Sequence, residues 1–237
     1  MLNIQVLLKT FVKILAGIPV TLEITFVSLF FGLIFGFLIA IARVNKVRGI
    51  SQISKLYVLF MRGSPLPLIL LLFNILIPSF LNSFFKKIGA EINVFEINPI
   101  HYAFFIFSLC TIATFSEIFR SALLTVSHGQ KEAALTIGLT EFQAYRRIIL
   151  PQTFAAALPN ISTSTVGLIK NSSLAFILTI KDITALGSIE AAYGYTYIES
   201  YIAVFLVYII VCLIVQRIFS LLEKRISKYR KKGGQNV

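Results

Sequence analysis

Apolar residues along this chain run in long uncharged blocks, separated by short charged ones. The blocks fall at 24–42, 63–85, 97–116, 148–169 and 200–216. Charges bound them: Glu23 before the first, Arg62 and Lys86 around the second, Glu96 and Glu117 around the third, Arg147 and Lys170 around the fourth, Glu199 and Arg217 around the fifth. A helix needs about 20 apolar residues to cross a bilayer, with a range of ~17–25. Each block is therefore a predicted membrane span, the first beginning near Ile18. Segment 171–180 is apolar but too short to cross, and reads as re-entrant or interfacial. The predicted fold class is an all-α membrane protein with about five transmembrane helices.

Composition agrees. The chain is 57% hydrophobic and 14% charged, with a mean hydropathy of +0.86; a soluble domain carries about 25% charged residues. Cys110 and Cys212 lie inside apolar runs and read as small core residues, with neither metal spacing nor a disulfide framework. The net charge of +12 does not indicate nucleic acid, because no basic domain with interleaved aromatics exists to bind it. The cations sit between the apolar blocks. If chain crossings alternate sides, 16 Lys and Arg fall on one side and 6 on the other. The richer side is the cytoplasmic one by the positive-inside rule. That places the N-terminus outside, the C-terminus in the cytoplasm, and the loop at 120–147 on the cytoplasmic side.

At the N-terminus, Leu8, Phe11, Val12 and Leu15 recur at helical spacing, while Lys9 and Lys13 interrupt the apolar pattern. An interfacial amphipathic helix fits this better than a secretory signal peptide. No repeat and no Gly/Ser- or Pro-rich linker divides the chain. The predicted organisation is an amphipathic segment at 1–16, a transmembrane domain at 17–222, and a basic cytoplasmic tail at 223–237 that meets anionic lipid.

Residues 128–152, HGQKEAALTIGLTEFQAYRRIILPQ, form a polar island longer than a simple connector needs. Lys131 and Glu132 suit a helix start, where an acidic group meets the positive dipole end. Ala133, Ala134 and Ile137 fall on one face at i, i+3, i+4 spacing, and the alanines allow a partner's backbone to approach. Gly138 then breaks the helix, Thr140 caps a second turn with Phe142, Tyr145 and Ile149 on its apolar side, and Pro151 opens the next span.

Glu132-Ala133-Ala134, then Gly138, then Ile149-Leu150-Pro151 resembles the coupling-loop signature of permease subunits of ATP-binding-cassette importers. Three further stretches resemble the polar amino-acid branch of that family: Arg62-Gly63-Ser64-Pro65-Leu66, the run from Ser116-Glu117 to Leu123 leading into Gly129-Gln130, and LPNISTSTVGLIKNSSL at 158–174. The resemblance covers about residues 15–222. It implies a type I importer permease fold, with a cytoplasmic coupling helix between the third and fourth spans. It assigns ATPase coupling to Gly129, Gln130, Glu132, Ala133, Ala134, Ile137, Gly138 and Leu139. The implied partners are cytoplasmic ATPase subunits, a second permease half that is identical or related, an extracytoplasmic substrate-binding protein and an amino-acid substrate. The implied location is a bacterial inner membrane. ATP and Mg would bind the partner ATPase, and this chain would bind no cofactor.

Polar side chains inside a span are costly and face a cavity or a partner. The fourth span carries Asn160, Ser162, Thr163, Ser164 and Thr165. Asn160 and Ser164 share a face and are candidates for the substrate path, whereas small hydroxyls at a packing face also serve as helix–helix contacts. The resemblance adds Thr114, Glu117 and Ile69 as path candidates. Glu117 and Arg120, three residues apart, read chiefly as an ion pair, and Arg62 as an anchor at a membrane boundary. Many relatives carry an acidic residue where Ser164 and Asn171 stand. Without that carboxylate, a cationic substrate side chain loses its partner. A neutral polar amino acid, cystine included, is the expected substrate.

Two other function classes stand beside the permease. An ion channel could use the Ser/Thr-rich span as a pore lining, but it would leave the island unexplained. A membrane enzyme would need a catalytic constellation, and His101 and His128 have no carboxylate cluster beside them. The chain also lacks a G-x-x-x-x-G-K-[ST] phosphate loop, so any ATP-driven work draws on another protein.

Overall fold

Thr21, Thr25, Ser28, Gly32, Gly36 and Ala40 form one buried stripe along a helix, α2, Ile18–Val44. Small residues at this spacing let two helix backbones come close within a membrane. The partner is α5, Pro99–Thr125, and the two run parallel. A Cβ on Gly32 would stand 2.5 Å from Thr111 Cγ2, and one on Gly36 would stand 2.8 Å from Phe115 Cβ. This pair is the axis of the fold.

The structure is a computed structural model that describes residues 2–90 and 92–233. Among these residues every regular element is a helix. Around the axis are α1 (Ile4–Ile14), α3 (Ile50–Gly63) and α4 (Leu66–Lys87). After α5 come α6 (His128–Thr136), α7 (Glu141–Ala144), α8 (Leu150–Asn171), α9 (Ile183–Gly194) and α10 (Tyr197–Gly233). Four helical stretches are long and apolar enough to span a bilayer: Ile4–Val44, Leu66–Lys87, Pro99–Thr125 and Tyr197–Ile226. A fifth is bent by 54° between Glu141–Leu178 and Ile183–Gly194. The expected count of about five spans agrees with this. The short segment after 171 is a 3-10 stretch, Ser172–Leu178, that prolongs α8. It stops at Thr179, whose φ of 61° ends the helical path. Of the basic tail, residues 234–237 lie outside the described residues.

Helix α1 does not stand apart from the span. A 3-10 turn at Leu15–Gly17 joins α1 to α2 in one 41-residue run. Thr10 and Ile14 of α1 are buried. Lys13 reaches Glu190 of α9 at 2.5 Å, and the Asn3 amide donates to the Glu199 carboxylate of α10 at 2.9 Å. Leu8 and Val12 point outward.

A second difference is α3, a helix between the first two predicted spans where none was predicted. Its apolar pattern is inverted. Ser51, Ser54, Val58 and Met61 are buried, whereas Ile53, Leu56, Leu59 and Phe60 are exposed. Two of its serines are thus turned into the protein while several large apolar groups are turned out. The Ser54 hydroxyl donates to the Ile50 carbonyl at 2.6 Å, and the Tyr57 hydroxyl donates to the Leu109 carbonyl at 2.5 Å. Lys55 and Arg62 therefore ride on a helix packed against α5.

Candidate functional site

Helices α5 and α8 face each other across a cavity of about 220 Å³. That is the scale of a small solute. Cys110, Thr111, Thr114 and Phe115 of α5 line one wall; Ser164, Gly167, Leu168 and Asn171 of α8 line the other; Leu66, at the start of α4, closes a side. Thr111 donates its hydroxyl to Phe107 O at 2.7 Å, and Thr114 to Cys110 O at 3.1 Å. Both thus present their remaining lone pairs. The wall offers hydroxyls, one amide and one thiol, and no charge. A larger cleft of about 430 Å³ between α2 and α5 is walled by Phe31, Phe35, Phe104 and Phe105. That lining suits a lipid chain better than a polar solute.

Of the path residues expected from sequence, Thr114 and Ser164 meet at this cavity. The other three lie elsewhere. Asn160 is exposed on α8, one turn away from Ser164 and outside the cavity wall. Ile69 is 2% exposed, packed in the core that Phe107 and Leu168 share. Glu117 is committed to two arginines: Arg43 of α2 at 2.5 Å and Arg120 at 2.8 Å. Arg43, 74 residues from Glu117 in sequence, could not be found from local spacing. Asn171, noted only as a departure from relatives, is part of the wall.

The ion triad marks one end of the bundle, and the 128–152 island lies beyond it. Here α6 and α7 form a small platform. Gly138 has a φ of 86° with open space around its Cα. Only glycine adopts that backbone without strain, which lets the chain reverse between the two helices. Thr140 and Gln143 close a capping box on α7. Lys131 bridges to Glu141 at 2.9 Å and lies 5.7 Å above the Tyr145 ring. The hydrogen bond to Glu141 holds the Lys131 ammonium above its ordinary pKa. Tyr145 donates to Asn45 at the end of α2, at 3.3 Å. Gln152 donates to the Gln130 side chain. A π-helical turn, Tyr145–Ile149, leads into α8. Pro151, lacking an N–H and crowding the preceding turn, accounts for the widened winding.

The island's alanine face is divided. Ala134 is 2% exposed and turned into the protein, whereas Ala133 points out. The outward apolar groups are Ile137 at 76% and Phe142 at 73% exposed. Gly129, Glu132 and Gly138 are exposed as well; Gln130 and Leu139 are half-buried. Phe142 entered the sequence reading only as a packing residue.

Residues 28–228 match the family described as the binding-protein-dependent transport system inner membrane component. The chain belongs to this family. It is thus a multi-pass membrane component of a transport system, and not an enzyme. It is 34% identical over 224 residues to the probable amino-acid permease protein YxeN of Bacillus subtilis, covering 94% of this chain and 96% of that one. To the L-cystine transport system permease protein TcyL of the same organism it is 34% identical, covering 90% and 87%. Among solved structures it resembles one described as an amino acid ABC transporter with histidines, with a TM-score of 0.78 at 25% identity, covering 95% and 99%.

Proposed function

We propose that this chain is the membrane subunit of an ATP-driven amino-acid importer, working by alternating access. Its end carrying the α6–α7 platform faces the cytoplasm, where ATPase subunits dock and hold the ATP and Mg. The N-terminus lies outside and the C-terminus in the cytoplasm. A second permease half, identical or related, completes the path, and an extracytoplasmic binding protein delivers substrate. The platform around Gly138, from Gly129 to Leu139, transmits the closing motion of the ATPase.

The observation that carries this reading is the exposed Ile137–Phe142 pair on a capped, ion-paired platform. Two large apolar groups held out into water by an ordered loop indicate a docking surface. The uncharged wall of Thr111, Thr114, Ser164 and Asn171 supports a neutral polar amino acid or cystine, since it offers a cationic side chain no counter-ion. Similarity to an L-cystine permease points the same way.

The test is the complex reconstituted in proteoliposomes with its ATPase and binding protein. ATP hydrolysis should rise when binding protein and amino acid are added together, with uptake in step. Hydrolysis indifferent to both, or ion conduction by this chain alone in a planar bilayer, would overturn the proposal.

A further inference from the structure

Gly167 is a glycine inside a helix, near the C-terminal end of α8, where it destabilises the helix relative to alanine. Two things justify such a residue: a close-packed neighbour, or a backbone that other side chains avoid. Neither holds here. A Cβ on Gly32 would run into Thr111, and one on Gly187 into Val204, whereas a Cβ on Gly167 would meet nothing within 4 Å. Its backbone is helical and lies outside the left-handed region. What lies beside it is the cavity between α5 and α8, of which Gly167 is a lining residue. A side chain at this position would take up cavity space and touch no neighbouring helix.

The polar side chains on either side of it are uncommitted. Ser164, Gly167 and Asn171 fall at i, i+3 and i+7, one face of a helix, and all three line the cavity. They cover about 10 Å of α8 at ~1.5 Å per residue. Elsewhere on α8 and its 3-10 extension, hydroxyls turn back onto their own helix. Thr153 donates to Ile149 O at 2.9 Å, Thr163 to Pro159 O at 3.1 Å, Thr165 to Ile161 O at 2.8 Å and Ser172 to Ile169 O at 2.7 Å. Among the described residues Ser164 and Asn171 make no such bond. A hydroxyl and a carboxamide both donate and accept, so these two are left to bond an uncharged polar group in the cavity.

We propose that Gly167 sets the size of solute the importer admits: its missing side chain leaves room that the solute fills, while Ser164 and Asn171 hold the solute's polar groups on either side. The inference rests on the chain being an amino-acid importer permease with its solute in this cavity. The seat is uncharged, in keeping with a neutral polar amino acid or cystine. A carbon added at position 167 takes space from the solute, and one methylene in a shaped pocket discriminates by roughly 10- to 200-fold. The helix itself gains, because alanine or leucine there restores helix propensity. Transport and stability therefore move in opposite directions. A glycine that serves helix packing behaves otherwise, since filling its contact lowers both.

The complete complex, with ATPase and binding protein, is reconstituted in proteoliposomes, and uptake of serine, glutamine and cystine is measured for wild type, G167A and G167L. The kcat/KM should fall about 10-fold in G167A and more than about 100-fold in G167L, more steeply for cystine than for serine. Assembly and thermal midpoint should stay at or above wild type. Leu66 lines the same cavity, so the double variant G167L/L66A should regain part of the uptake. L66A should not rescue S164A or N171A, which lose hydrogen bonds and not room. Wild-type uptake by G167L, or no recovery in the double variant, overturns the proposal and leaves the importer function standing. A lowered thermal midpoint or lost assembly in G167A places the glycine against the second permease half, and again overturns it. Absence of ATP-driven uptake of all three amino acids by wild type would remove the underlying function instead.

Discussion

The sharpest consequence of the platform is that Ile137 and Phe142 should matter for docking and hardly at all for folding. Their exposures are 76% and 73%. Burying such a side chain completely is worth about 1.5–3 kcal/mol. With roughly three quarters of each still uncovered, about 1–2 kcal/mol per residue remains for a partner to gain, or ~3 kcal/mol for the pair. At about 1.4 kcal/mol per tenfold, replacing both by serine should weaken ATPase-subunit binding about 100-fold. The folded chain loses almost no contact, so its stability should move by no more than ~0.5 kcal/mol, as at other surface sites. The assay is titration of labelled ATPase subunit onto permease in nanodiscs, beside thermal unfolding of the same sample. Ala134→Leu is the contrasting variant, since Ala134 is 2% exposed: overpacking there should lower stability by about 1–3 kcal/mol. An Ile137→Ser/Phe142→Ser permease that binds the ATPase within threefold of wild type would refute the docking surface.

Three other outcomes follow from the same geometry. Gly138→Ala should cost about 1–2 kcal/mol of loop conformation, because its φ of 86° is strained for any residue with a Cβ; Gly138→Asn should cost less, and coupled uptake per ATP hydrolysed reads both. Glu117→Gln should destabilise by about 2–3 kcal/mol, near the low end for breaking a buried pair, because it leaves Arg43, whose side chain is only 9% exposed, without a counter-ion; replacing both Arg43 and Glu117 by apolar residues should recover much of that, as thermal unfolding would show. Gly36→Leu should separate α2 from α5, since even a Cβ there lies 3.0 Å from the Ser116 amide nitrogen, and loss of assembled complex in membrane extracts is the measurement.

What the sequence revealed, and what it hid, divides along physical lines. The uncharged blocks announced the spans because hydropathy is a local property. The island was legible for the same reason: Gly138, the Thr140–Gln143 cap and Pro151 each act within a turn or two of their own position. Helix α3 was illegible because its pattern is inside out. Its buried face carries Ser51 and Ser54, and its exposed face carries Ile53 and Leu56, so a search for apolar cores passes over it. Only packing against α5 shows it as a helix and shows where Arg62 stands. Spacing exposed the Glu117–Arg120 pair, but Arg43 arrives from 74 residues away. Which alanine of the island turns inward was equally a tertiary matter, settled by the neighbours of α6 and not by its own periodicity.

The cavity and the platform are joined by the chain itself. Helix α5 carries Thr111 and Thr114 in the cavity wall, then Glu117 and Arg120 of the ion triad, and ends at Thr125, three residues before α6 begins. From Thr114 to Thr125 is about 16 Å of continuous helix at ~1.5 Å per residue, after which two extended residues, Val126 and Ser127, lead into α6. The platform's other end passes through the π-turn at Tyr145–Ile149 into α8, which carries Ser164, Gly167 and Asn171 in the opposite wall. Thus the two helices that leave the platform are the same two that face each other across the cavity. On the proposed docking, a push on Ile137 and Phe142 would need no chain of intermediary side chains to reach the cavity; it would be applied to both walls through backbone. The Arg43–Glu117 pair and the Tyr145–Asn45 hydrogen bond fasten α2 to that lever at its root, so α2 and α5 move as a unit. Under the proposed alternating access, the π-turn, whose winding is already widened, would be the place where α8 changes its angle to that unit, and closing or opening the cavity would be a rotation of α8 against the α2–α5 axis.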